Sequence, residues 1–338
     1  MLRTLIFLLA TLSPTALFAG EPAQLVETAI NTHILPAFQN LSTTTETLKQ
    51  AADTDCSPDS QTLRTAYHTA FDAWLGASHL RFGPTEAEDR AFGLAFWPDT
   101  KGFTPKTLTR LIQTEDTTVT DPARFATVSI AGRGFFALEF MLFDDRLRQT
   151  GRADYRCTLI RAITSDIDRI ADAILLDWQQ DYADKLRTPG KNSPFRTEDE
   201  AVQALYKAML SGLQFNYQSR LGRPMGTFDK PRPNRAEARR SGRSLRNIQL
   251  SLEALNELAL LLATDHPHVS DALQSDFDRA AHLANNLDDP VFAGVATPQG
   301  RLRVEILQQS IEAIRETAVT ELGPLLGVAV GFNALDGD

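Results

Sequence analysis

The stretch IRAITSDIDRIADAI runs from Ile160 to Ile174 and sets isoleucines at 160, 163, 167, 170 and 174. That 3-4-3-4 spacing lays a single apolar stripe along an α-helix. The same period returns in Leu245, Ile248, Leu252, Leu255 and Leu262, and again in Leu307, Ile311, Ile314, Ala318, Leu322 and Leu325. Strand signals are few. Asp59 or Ser60 is placed to cap a helix running through Tyr67, Phe71 and Trp74, since a short polar side chain accepts from the free N–H groups of a first turn. Gly331 is a natural stop for the last helix. Breaks rich in Pro and Gly fall at 187–195, 223–234 and 288–300, and a longer aromatic one at 82–105. The pattern predicts an all-α protein of antiparallel helices, divided near residue 190.

The chain has 338 residues, enough for one large or two medium domains. Lys and Arg number 34 against 43 Asp and Glu, a formal charge of -9. That balance, with no basic stripe interleaved with aromatics, argues against a nucleic-acid partner. Residues 1–19 read as an export leader: a basic Arg3, an apolar run from Leu5 to Leu12, then small residues up to Ala19. The run is too short to span a bilayer and Pro14 follows it, so a membrane anchor is the weaker reading. Export places the only cysteines, Cys56 and Cys157, in an oxidising compartment. There they either pair, which is the favoured reading, or remain two thiols.

Chemistry-bearing motifs are scarce. No HExxH, GxSxG or CxxCH occurs, and none of the six histidines has a Glu three residues on. Glu139 is the exception in character, a carboxylate inside the apolar run GRGFFALEFMLF from Gly132 to Phe143. A helix there surrounds it with Gly134, Phe135, Leu138, Met141 and Leu142, so it needs either a partner or a proton. Two readings stay open: a structural acid paired with a neighbouring arginine, or a group in a ligand or metal cavity. EARRSGRSLRN, read as a helix, puts Arg239, Arg243 and Arg246 on one stripe and Arg240 and Ser244 on the next. One stripe is expected to face solvent. The other is expected to meet Glu139 and the loop holding Arg81 and Gly83, offering forked donors to an oxyanion. Trp74 is expected in the core or a cavity wall.

GRGFFALEFMLF resembles the signature segment of the imelysin-like family, which includes bacterial insulin-cleaving peptidases and iron-regulated periplasmic proteins. FDAWLGASHLRFGP (71–84) and AFWPDTKGF (95–103) resemble its first half, PNRAEARRSGRSLRNIQLSLEAL (233–255) its second, and LGVAVGFNALDGD (326–338) its ending. The resemblance implies two packed antiparallel helical bundles, here 20–190 and 191–338, with a polar cavity between them. In its proposed peptidase members the signature is GxHxxE, whose His and Glu could share a metal. Gly134 and Glu139 match, but Phe136 stands where the His would be. Phenylalanine has no lone pair, so this chain is closer to branches with a GLPALE-type segment.

The resulting expectation is an exported, periplasmic, non-catalytic binding protein linked to iron uptake. Its candidate ligand site comprises Glu139, Gly134, Phe136, Arg81, Gly83, Trp74, Arg240, Arg243 and Ser244. The resemblance leaves room for a metal ion, iron or zinc, at Glu139. Partners would be a small ligand or metal complex, or other iron-uptake proteins of the envelope. The alternatives are an imelysin-type metallopeptidase and a structural or partner-binding envelope protein.

Overall fold

The computed structural model describes residues 21–328. The export leader, the stop at Gly331 and residues 329–338 of the carboxy-terminal ending therefore lie outside the described residues. Among the described residues, ten helices of nine or more residues carry the fold: α1 (Glu21–Ala29), α2 (Leu35–Thr54), α3 (Gln61–Ala77), α4 (Phe103–Thr114), α5 (Gly134–Phe143), α6 (Ala153–Asp177), α7 (Glu198–Gln214), α8 (Ser244–Leu262), α9 (Pro267–Asn285) and α10 (Pro298–Thr317). Among the described residues there is no strand, only an isolated bridge between Thr227 and Lys230.

The isoleucine stripe lies on α6 and is buried along its whole length. The stripe on α8 is buried too, as is that of α10 up to Leu322. Leu325, expected to continue it, instead stands 49% exposed in the short turn Gly323–Leu325. Ser60 caps α3, its hydroxyl accepting from the Leu63 N–H at 3.4 Å. In the first half α2 packs on α3 and α6, and α5 packs on α6. In the second half α8 packs on α7 and α9, and α9 on α10. Across the middle, α1 touches α7 and α8, while α3 lies against α8. The buried apolar side chains join into one cluster that includes residues on both sides of position 190.

Several helices carry a π-helical turn, an extra residue per turn that rotates the following side chains. Ile30–Ile34 joins α1 to α2, and Phe215–Leu221 follows α7. Cys56, just beyond α2, is bonded to Cys157 of α6 with the Cα atoms 5.1 Å apart. No described helix is long and apolar enough to cross a membrane.

Candidate functional site

The signature helix α5 is fixed at its start by two devices. Arg133, just before it, forks onto buried Asp166 of α6, with Nε 2.7 Å from Oδ2 and Nη2 3.2 Å from Oδ1. Gly134 has φ +72°, and a Cβ there would stand 2.3 Å from the carbonyl oxygens of both Gly93 and Leu94. The glycine is needed for that close approach and lines neither cavity described below.

The rest of α5 separates two cavities that share Phe136 and Trp97 as wall. These rings are stacked, with centroids 6.4 Å apart and planes inclined by 21°. The first cavity, about 270 Å³, is lined by Trp74, His79, Arg81, Phe215, Arg220 and Glu237 among others. The second, about 210 Å³, contains Glu139, Phe140, Arg223, Arg235 and Arg240.

Glu139 is 1% exposed. Its Oε1 accepts from the Ser241 N–H and the Ser241 hydroxyl, both at 2.9 Å. Burial pushes its carboxyl above the usual range, opposed by the Ser241 N–H and by nearby Arg240. Arg240 itself donates to Asp144 at 2.8 Å and lies over the Phe140 ring at 3.7 Å. The direct partner of Glu139 is thus a serine of the second half, with Arg240 alongside, and the carboxylate borders a cavity.

The expected arginine stripes do not form. α8 begins only at Ser244, because Ala238 (φ +45°) and Gly242 (φ +74°) turn the chain away from helix. Arg243 is buried away from the cavities, paired with Asp72 of α3, donating to the His68 carbonyl at 3.1 Å and lying over Phe71 at 4.8 Å. Arg246 joins the same Asp72. The Ser244 hydroxyl donates to the Glu237 carbonyl at 2.5 Å. Gly83, with φ +58°, is packed against the Tyr182 ring and lines neither cavity. Arg81 does reach the first cavity but not Glu139; its charge is matched by Glu86, and it lies over Phe92 at 5.0 Å. Of the nine expected residues, Trp74, Arg81 and Phe136 meet at one cavity and Phe136, Glu139 and Arg240 at the other.

The sequence reading missed the buried polar network of the first cavity. Arg220 and Glu237 are each 4% exposed and pair at 2.8 Å. Arg220 also donates to Asn216 at 2.8 Å, Asn216 to Ser251 at 2.9 Å, and Asn247 to Glu237 at 2.9 Å. The π turn after α7 brings Phe215, Asn216 and Arg220 to this place, where the guanidinium lies over the Phe215 ring at 4.8 Å. One signal was legible: Asn216 and Arg220 are four residues apart on the continuation of the face that carries Leu213. His79 completes the wall. Its Nε2 lies 2.8 Å from Nε2 of His33, and its Nδ1 has no partner.

A metal at Glu139 does not fit these donors. Oε1 is taken by Ser241, a hydrocarbon ring occupies position 136, and among the described residues no group of three or more His, Cys, Asp or Glu is placed to hold a cation. A larger surface cleft, about 360 Å³, lies along α6 between exposed Asp53, Arg161 and Arg169, and shares no lining residue with the two cavities.

An all-α protein with aromatic-walled cavities along a buried signature helix is what the fold and the site define. Residues 34–318 match the imelysin family, peptidase class M75, and the chain belongs to that family. Iron-regulated protein A of Synechococcus elongatus is 22% identical over 325 residues, covering 90% of this chain and 86% of that protein. Two solved structures share the fold. An imelysin-like protein from Psychrobacter arcticum 273-4 is 18% identical with a TM-score of 0.77, covering 92% of this chain and 97% of that one. A protein described as an iron-regulated protein A precursor, from Parabacteroides distasonis ATCC 8503, is 14% identical with a TM-score of 0.72, covering 88% and 94%.

Proposed function

We propose that this imelysin-family member is an exported, periplasmic, non-catalytic binding protein of iron metabolism that holds a small ligand in the cavity walled by Trp74, Trp97, Phe136 and Phe215. The observation that carries this reading is the Arg220–Glu237 pair, buried beside about 270 Å³ of open space. Two charges removed from water cost more than a well-packed apolar pair of the same volume, so such a pair is poorly explained by stability alone. Its setting, aromatic faces with a few converging polar groups, is that of a small-molecule site. The relative named iron-regulated protein A supports the link to iron, and the export leader supports the periplasm. A peptidase reading requires a catalytic metal, and the donors around Glu139 do not supply one.

Native mass spectrometry on protein recovered from the periplasm of iron-limited cells tests the proposal. The expected result is a small molecule retained at near one-to-one, lost in Ser211→Phe, which fills the cavity from α7. Stoichiometric zinc with chelator-sensitive cleavage of an unfolded peptide would overturn it.

A further inference from the structure

The buried ion pair of the first cavity is only half made. A guanidinium offers Nε–H and Nη2–H as two parallel prongs, and a carboxylate that closes on both takes one on each oxygen. Arg133 and Asp166 pair in that way, with Nε on Oδ2 at 2.7 Å and Nη2 on Oδ1 at 3.2 Å. Arg220 and Glu237 do not. Nε of Arg220 donates to Oε2 of Glu237 at 2.8 Å, and Asn247 Nδ2 donates to the same Oε2 at 2.9 Å. Nη1 of Arg220 is taken by Asn216 at 2.8 Å. Nη2 of Arg220 and Oε1 of Glu237 enter none of these bonds, and neither belongs to the unpartnered polar atoms sealed inside the protein.

What surface the pair keeps, 5% of each side chain, belongs to residues that line this cavity and neither the second cavity nor the surface cleft. One donor prong and one acceptor oxygen are thus left open beside about 270 Å³ of space. A polar atom taken out of bulk water without a partner costs its desolvation, so two such atoms on one ion pair call for a third group that meets both. The unpaired hydroxyl-bearing Ser211 lies on the same wall.

We infer that Arg220 Nη2 and Glu237 Oε1 recognise the ligand together, and that the ligand is a flat, uncharged ring lactam whose carbonyl accepts from Nη2 and whose N–H donates to Oε1. This rests on the cavity reading above and adds the ligand's class. Each free atom is attached through a single carbon to the atom that makes the Nε–Oε2 contact, so a group with acceptor and donor on neighbouring atoms can serve both. A lactam edge is such a group. The charges of the wall are already matched, Arg220 by Glu237 and Arg81 by Glu86. A carboxylate would satisfy Nη2 but set like charges together at Oε1, and an ammonium would do the reverse. A zwitterion would satisfy both but bring two further charges into an aromatic chamber. Trp74, Trp97, Phe136 and Phe215 offer faces for a flat ring instead.

Titration of the full chain with 2-quinolone and N-methyl-2-quinolone, followed by the indole N–H signals of Trp74 and Trp97, tests this. The second probe keeps the rings and the carbonyl but lacks the donor. 2-Quinolone is expected to bind at least about tenfold tighter, the low end for a hydrogen bond to a charged group, and its binding should be lost in Ser211→Phe. In Glu237→Gln the side-chain oxygen is held by Arg220 and Asn247, an NH2 group takes the place of Oε1, and the ratio should fall to about threefold or less. Should that variant fail to fold by circular dichroism, the wild type decides: with 2-quinolone bound, the Arg220 guanidinium hydrogens should exchange with water at least about fivefold more slowly. Equal binding of the two probes, an undiminished ratio in folded Glu237→Gln, or unchanged Arg220 exchange overturns the inference, while binding still lost in Ser211→Phe leaves the cavity reading intact. If neither probe binds, the lactam class is overturned, and the native mass spectrometry above decides the cavity reading by itself.

Discussion

Replacing Cys56 and Cys157 together by serine removes a cross-link between residues 101 apart in sequence. Closing a loop of that length in the unfolded chain costs about 4.7 kcal/mol in the chain-entropy model. The folded state should lose little. Both cysteines are half-buried, so serine meets water as readily as core. The end of α2 also stays tied to α6 by Arg161, which donates to the Ala52 and Asp53 carbonyls at 3.3 and 3.0 Å. The expected net loss is about 3–5 kcal/mol. With a urea slope of about 3 kcal/mol/M, the upper end for single domains, the midpoint should fall by about 1–1.7 M. Urea unfolding followed by circular dichroism and tryptophan fluorescence measures it, and wild-type protein in excess dithiothreitol should reproduce the variant. A fall below about 0.3 M, equivalent to about 1 kcal/mol, would refute the reasoning. It would mean that the unfolded chain is already confined without the bond.

Gly134→Ala places a Cβ 2.3 Å from two carbonyl oxygens at φ +72°, so a loss of at least about 3 kcal/mol in thermal unfolding is expected. Gly102→Ala, at φ +64° with open space around it, should cost only about 1 kcal/mol, separating backbone strain from collision. Burial, followed by the neighbouring Asp172 carboxylate, raises the Asp168 carboxyl to about 6. Between about pH 4 and pH 6 the folded state therefore binds the proton that the unfolded state has released, and stability falls as pH rises through that window. Asp168→Asn should remove this slope and gain about 1 kcal/mol at neutral pH, after discount for the group's partial exposure, in urea unfolding from pH 4 to 7. An unchanged slope would contradict the assignment.

The helices were legible because burial imposes its period on the sequence. The stripes on α6 and α8, and the Ser60 cap, could be read directly from residue spacing. Segment 236–243 was not legible in that way. Its composition suits a helix, and only the positive φ of Ala238 and Gly242 shows that the chain turns there, scattering Arg239, Arg240, Arg243 and Ser244 to different partners. Glu139 could be singled out as a buried acid, but not its partner Ser241, 102 residues away. The histidine pair was hidden for the same reason: His33 and His79 are 46 residues apart. His33 did carry a local sign, lying between Ile30, Ile34 and Phe38 on an apolar face, but a single polar residue in a stripe names no contact.

Phe136 and Trp97 are a partition only two rings thick between the chamber of Arg220 and that of Glu139. Both rings are buttressed, Phe136 edge-on to Phe71 at 5.5 Å and Trp97 edge-on to Phe215 at 5.8 Å. A guest in either chamber therefore rests on the same two rings, and a substitution at Phe136 is felt on both sides of the wall.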